Sequence, residues 1–353
     1  MGHGAELTGT YGMKRLFLPA IFLFLVSAAG WAQAAGDAAA APTMETARAL
    51  AAKGRLEQAM AQLDALAQQT PEPAGAERLR GMILYQREQF DEAVAAFGKA
   101  EAQDAGDRES LEMHGVSLFR MGRVREAIPF LERARAAVES ANVDPNYVLA
   151  LCYSDVGRYD DARRAFAAQF GFVPESAEAH LLAGRQFLRR ELRDQAGAEA
   201  AKALELKHDL PLAHELLGEV DLARGDVGTA ILELEAERKI NPMSPDVYDR
   251  LGDAYVRMGE WAKAQEALNR AVLLEPQATG PFILLGEVFL KLNEPIQALH
   301  YLDHAVRMDA NNYITHNLLG QAYRATGQLD AANREFRTGV ELQHRNDMKP
   351  AVK

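Results

Sequence analysis

From residue 40 onward, apolar residues fall on two helical faces that recur every 34 positions. In residues 245–278 the first face is Tyr248, Leu251, Gly252 and Tyr255, spaced i, i+3, i+4, i+7. The second is Trp261, Ala264, Leu268 and Ala271. At about 3.6 residues per turn, each set lies along one side of a helix, so each frame predicts two amphipathic helices. Frames starting at 143, 177, 211, 245, 279 and 313 run head to tail; one extra residue, Asn142, precedes them, and earlier frames start at 108, 74 and 40. Nine frames therefore tile residues 40–346.

Small residues keep the same register. The eighth position is Gly or Ala throughout: Ala47, Gly81, Gly115, Ala150, Gly184, Gly218, Gly252, Gly286 and Gly320. The twentieth is Ala in every frame, from Ala59 and Ala93 to Ala298 and Ala332. Small residues at these two places let the paired helices approach closely, with larger side chains at positions 4, 11 and 24 filling the flanks. Position 15 is Gly at Gly54, Gly122, Gly157, Gly225, Gly259 and Gly327, where it ends the first helix in left-handed geometry. Pro at position 32 (Pro71, Pro174, Pro242, Pro276) stops the second helix. One hairpin of this size cannot bury its apolar face, but stacked copies bury a continuous core.

On these residues the chain resembles the tetratricopeptide-repeat family. Frame 245–278 carries the motif as Tyr248, Leu251, Gly252, Tyr255, Gly259, Trp261, Ala264, Leu268, Ala271 and Pro276. The resemblance implies an all-α, right-handed superhelical solenoid of stacked helix-turn-helix repeats, with first helices lining the concave side and a protein or peptide as partner. Frame one departs from the pattern with Thr43 and Thr46 at apolar positions and reads as a polar N-terminal cap; frame three carries Pro129 inside its second helix, where a kink is expected. Frame nine, with Asp330, Asn333, Arg334 and Arg337 on its outer helix, reads as its own cap.

The N-terminus adds an address. Lys14 and Arg15 precede an apolar run, then Ala32, Gln33 and Ala34, which together predict a secretory signal peptide over 1–34, with Met13 as a candidate translation start and a short small-residue tether over 35–42. The expected location is the periplasm or outside the cell; the alternative is an uncleaved inner-membrane anchor facing the periplasm, since residues 16–35 approach the roughly 20 needed to span a bilayer. Residues 347–353 form a tail.

Candidate chemistry is sparse. A net charge of -11 leaves no cation excess for phosphates, so no nucleic-acid partner is expected. Cys152 is the single cysteine, so no internal disulfide is possible, and it reads as an inert helix residue. His214 and Glu215 begin a zinc-protease-like sequence, but Gly218 stands where the second His belongs. His300 and His304 share a helix face without a third ligand, and His180, His214 and His316 occupy position 4 as packing residues. No metal, cofactor or catalytic residue is expected, and the chain reads as a non-catalytic scaffold; an envelope assembly factor or co-chaperone held by an uncleaved anchor is the alternative, and an enzyme the remotest one.

Positions 2, 5, 9, 12 and 13 lie on the side of the first helix away from its packed face. By the resemblance, that side lines the groove. Its late frames carry Glu215, Glu219, Asp246, Asp249, Asp253 and Glu287; its early frames carry Arg78, Arg185 and Arg189, with Tyr85 and Phe119 at position 12. The family's carboxylate-clamp members need Lys and Asn where these acids stand, which argues against acidic chaperone tails. Stacked carboxylates repel unless a cation arrives, so the expected partner carries a Lys or Arg segment along frames six to eight. A membrane is expected as a partner only if the N-terminal segment stays uncleaved.

Overall fold

The computed structural model describes residues 42–136 and 145–347. The signal peptide, all but the last residue of the tether, Asn142 and residues 348–353 lie outside the described residues. Among the described residues eighteen α-helices form nine hairpins, one for each frame. They are α1 (Met44–Ala52) and α2 (Leu56–Leu66), α3 (Ala76–Gln86) and α4 (Phe90–Gln103), α5 (Arg108–Arg120) and α6 (Val124–Ala136). Then follow α7 (Asn146–Asp155) and α8 (Tyr159–Phe170), α9 (Ala177–Arg189) and α10 (Arg193–Leu206), α11 (Ala213–Arg224) and α12 (Val227–Ile240). The last three hairpins are α13 (Pro245–Met258) and α14 (Trp261–Leu274), α15 (Thr279–Lys291) and α16 (Pro295–Met308), α17 (Tyr313–Ala325) and α18 (Leu329–Asp347). The fold is an all-α helical-repeat solenoid. No helix among the described residues is long and apolar enough to cross a membrane.

The turn inside every hairpin uses one left-handed residue at position 15. Six are glycines, with φ from +71° at Gly54 to +88° at Gly225. The other three are Glu88, Glu191 and Asn293, with φ of 61°, 62° and 61°. Tertiary packing of the two flanking helices holds these three in a conformation that costs an L-residue roughly 1–2 kcal/mol. Glu191, which is exposed, is therefore a site where glycine should help. Glu191→Gly is expected to add about 1 kcal/mol of stability in urea unfolding, after glycine's greater unfolded-state freedom is discounted; no gain would mean that the turn carries no strain.

Packing explains the small positions. A Cβ on Gly252 would lie 2.3 Å from Leu268 Cδ2 and 2.5 Å from its Cγ, and one on Gly286 would lie 2.4 Å from Leu302 Cγ. The same relation joins Gly81 to Phe97, Gly115 to Leu131, Gly218 to Leu234 and Gly320 to Phe336. Position 8 is therefore hollowed to receive the large side chain of position 24 from the facing helix. In frame five, where position 24 is Ala200, Leu216 of the next frame fills the space over Gly184 instead. The position-20 alanines are all buried, and Ala127, Ala196 and Ala230 present backbone oxygens 3.1–3.4 Å from the corresponding Cβ positions. Buried side chains continue through the stack, one cluster running from Val116 to Val220 and another from Leu234 to Ala322.

Three departures follow from local chemistry. Thr43 is not a core residue: it caps α1, its hydroxyl accepting from the Thr46 backbone N–H at 3.2 Å. At Pro129 helix α6 continues unbroken from Val124 to Ala136. The position-4 histidines are not merely packed. His180, His214 and His316 each set Nδ1 against a glutamate at position 23 of their own frame: Glu199 at 2.5 Å, Glu233 at 2.6 Å and Glu335 at 2.6 Å. Each pair ties the two helices of one hairpin across the seam that aromatic side chains close in frame eight, where Phe282 faces Tyr301.

Candidate functional site

Each first helix packs on its own second helix and on the second helix of the preceding hairpin. Among the described residues, first helices of successive hairpins also touch one another from α1 through α7 and from α9 through α17, whereas second helices make no comparable contact. This brings the first helices together on the inner side of the stack, and positions 2, 5, 9, 12 and 13 face away from the second helices there.

The acids read as an unopposed stack are in large part paired within the chain, which corrects the argument from repulsion. Arg250, at position 6 of frame seven, reaches Glu215 at 3.4 Å, pairs closely with Glu219 and stands 4.0 Å from Asp246. Arg185 approaches Glu215 from the other side at 3.5 Å, and Arg257 holds Asp253 at 2.8 Å. Glu215 is almost wholly buried; burial pushes its carboxyl up, against the pull of Arg250 and Arg185. The signal was in the sequence: position 6 is Leu79, Met113, Val148, Leu182, Leu216, Leu284 and Leu318 in seven of the other eight frames, and Glu45 in the polar first frame, so an arginine there departs from a mostly apolar site.

Two acids remain without an ion pair. Asp249 has no hydrogen-bond partner for its buried Oδ1, and burial, with Asp253, Asp246 and Glu275 adding to it against Arg250, pushes its carboxyl up to about 6. Gly280 of the next first helix leaves room beside it, a Cβ there lying 3.8 Å from Asp249 Oδ2. Glu287 is likewise raised by burial, with Lys291 opposing.

The early end of the candidate face is also internally compensated. Arg78 pairs with Asp107 at 3.0 Å and Glu109 at 3.4 Å. Arg189 is exposed at the end of α9. Tyr85 packs edge-on against Phe90 at 5.4 Å between ring centroids, and Phe119 packs against the core, so both aromatics serve structure as much as surface. His304 stacks on Phe282 at 4.3 Å, and no group of three or more His, Cys, Asp or Glu among the described residues is gathered to hold a metal ion. Burial drives the Cys152 thiol up to about 12.

Comparison with known proteins locates these repeats in a family. Profiles described as tetratricopeptide repeat match residues 44–108, 245–278 and 283–340. One described as anaphase-promoting complex, cyclosome, subunit 3 matches residues 86–169. No curated protein matches the chain. Among solved structures, MamA is 22% identical over 46% of this chain and 96% of its own, with a TM-score of 0.43. YrrB, described as a TPR protein with an unusual peptide-binding site, is 19% identical over 51% of this chain and 93% of its own, with a TM-score of 0.45. A thermophilic TPR protein of Thermus thermophilus is 21% identical over 48% of this chain and 96% of its own, with a TM-score of 0.39.

Proposed function

The chain is a tetratricopeptide-repeat protein, and from that premise we propose that it is a non-catalytic protein–protein interaction scaffold holding an extended partner segment along its first-helix face. The partner carries a Lys or Arg that docks on Asp249. What supports this is one observation: among the candidate groove acids Asp249 combines a buried oxygen that has no hydrogen-bond partner with the absence of any ion pair, whereas Glu215, Glu219 and Asp253 each pair with an arginine. A buried carboxylate without a partner is costly in the free protein and gains from an arriving cation. The apolar segment ahead of Ala34 supports export to the bacterial envelope.

Three experiments test the reading. Photo-reactive residues at Asp246 and Gln321 on the first-helix face, and at Leu232 and Glu266 on second helices, are compared in an envelope extract. Adducts with the same partner from the first pair and not the second are expected; equal labelling from both pairs overturns the groove. Asp249→Asn then separates charge from shape. A carboxyl raised in the folded state contributes its stability in acid and loses it as pH climbs through the folded value. The wild type should thus lose stability between about pH 4 and pH 6, relative to the variant, by about 1–2 kcal/mol after discounting for solvent access. Asp249→Asn should be the more stable protein near neutrality and the weaker binder, with a shallower salt dependence. Unchanged affinity and salt slope would place the partner elsewhere. The replacement is cleaner than reversing Glu219 and Asp253, because lysines there would confront Arg250 and Arg257. Mass spectrometry of the native N-terminus tests export: a chain starting at Met13 or earlier would overturn cleavage after Ala34.

A further inference from the structure

The late end of the same face differs from the rest of the groove. Between α15 and α17 lies a cavity of about 470 Å³, lined by Glu287, Leu290, Lys291, Leu318, Gln321, Arg324 and Ala325. These are groove positions 9, 12 and 13 of frames eight and nine, plus Leu318 from position 6. Where frame seven places Arg250 at position 6 to neutralise its neighbours, frame nine places Leu318, so no internal cation–carboxylate lattice crosses this junction. Two cations and one carboxylate rim the cavity, in a chain whose net charge is -11.

Neither cation is used up inside the fold. Lys291 Nζ stands 6.0 Å above the Trp261 ring, and the Arg324 guanidinium lies 5.6 Å above the Phe336 ring. An aromatic face steadies a cation without neutralising it, so both keep their charge for an incoming group. Glu287, four residues before Lys291, attracts it along the helix without coming within ion-pair distance, whereas Arg250, Arg185 and Arg257 each sit against a carboxylate. The apolar part of the lining is the buried Leu318 and the half-buried Leu290, which make its floor, with the exposed Ala325 beside them.

We propose that this cavity is the specificity pocket of the groove, and that it takes an aliphatic side chain on its floor with an Asp or Glu side chain of the same extended segment between Lys291 and Arg324. This deepens the scaffold reading and rests on it. Alternate side chains of an extended segment point the same way, so an acidic residue and an aliphatic one two positions apart reach the rim and floor together. Together with a cation on Asp249, the partner segment is bipolar: basic toward frame seven, acidic and aliphatic toward frames eight and nine. Charge complementarity of this kind sets the direction in which the segment lies as well as its identity.

The test uses the full chain and a displayed library of random dodecapeptides, followed by titration of one labelled peptide recovered from it. Recovered peptides should be enriched in Asp or Glu two positions from Leu, Ile or Met. Against Lys291→Glu with Arg324→Glu, the labelled peptide should bind about tenfold or more weakly, and selection should lose its acidic preference. Both side chains are exposed, so the unfolding midpoint should hold; Lys291→Gln with Arg324→Gln repeats the test without reversing charge. Recovered peptides no more acidic than the library, or equal binding by wild type and both double variants, would overturn the pocket and leave the groove standing. Recovery of enriched C-terminal carboxylates, insensitive to internal Asp or Glu, would also overturn it. Failure to recover any binding peptide would overturn the groove reading itself.

Discussion

Gly252→Leu should unfold frame seven and its neighbours while leaving the N-terminal frames protected. A single Cβ at that position already falls 2.3–2.5 Å from Leu268, and Leu268 is fully buried, with no direction in which to retreat. Three further carbons cannot be housed without separating α13 from α14. Overpacking a tight core costs roughly 1–3 kcal/mol for modest insertions, and this one should reach about 3 kcal/mol or more. In a repeat array each hairpin contacts only its neighbours, so the loss should be read locally. Hydrogen exchange should show lost protection from α11 to α16, with α3 and α4 unchanged. A uniform loss along the whole chain would mean that the stack unfolds as one cooperative block. Leu268→Ala in the same chain should recover part of the loss by vacating the space that the new side chain invades.

Arg250→Met is expected to cost about 3 kcal/mol near pH 7, because it leaves the buried Glu215 with Arg185 as its remaining cation and strips Glu219 of its cation. The stem of methionine replaces much of the packing, so the deficit reports mainly on charge. Its pH dependence has a definite sign. The Glu215 carboxyl is already raised by burial, and Arg250 is the first of the groups pulling it down. Without Arg250 it rises further, and a group raised in the folded state contributes stability in acid that disappears as pH climbs through the folded value. The gap between wild type and variant should therefore shrink as pH falls through the raised Glu215 range toward the ordinary carboxylate value of 4.5. Glu215→Gln added to Arg250→Met should recover part of the loss at neutral pH. A gap equal at both pH values would show that Arg250 acts through packing, and the internal neutralisation of the groove would then fall.

The comparison of pattern with structure is sharpest at particular residues. The periodic small and large positions were sufficient to place both helices of every frame, since a helix hairpin obeys local spacing and the nine copies reinforce one another. Glycines at position 15 announced the turns in six frames, but Glu88, Glu191 and Asn293 make the same left-handed turn with no such announcement. The histidines at position 4 were visible as departures, yet their glutamate partners at position 23 became meaningful only once the two helices were laid side by side. The candidate acids could be gathered onto one face by counting, whereas Arg250, on the neighbouring turn position, could not be aimed by counting alone.

By itself, then, the sequence determined the all-α repeat architecture and the packed face of each helix, because those depend on periodicity within one frame and on stacking like upon like. Only the tertiary structure decided which charges cancel and which remain. Arg250 joins acids of its own frame and of the one before it, Arg185 reaches forward into frame six, and Lys291 and Arg324 meet around one cavity from separate frames. Such pairings depend on the angle and distance between helices of different repeats and on how deeply each head group is withdrawn from water. A carboxylate's burial and its nearest cation set its charge, and neither is a property of its position along the chain.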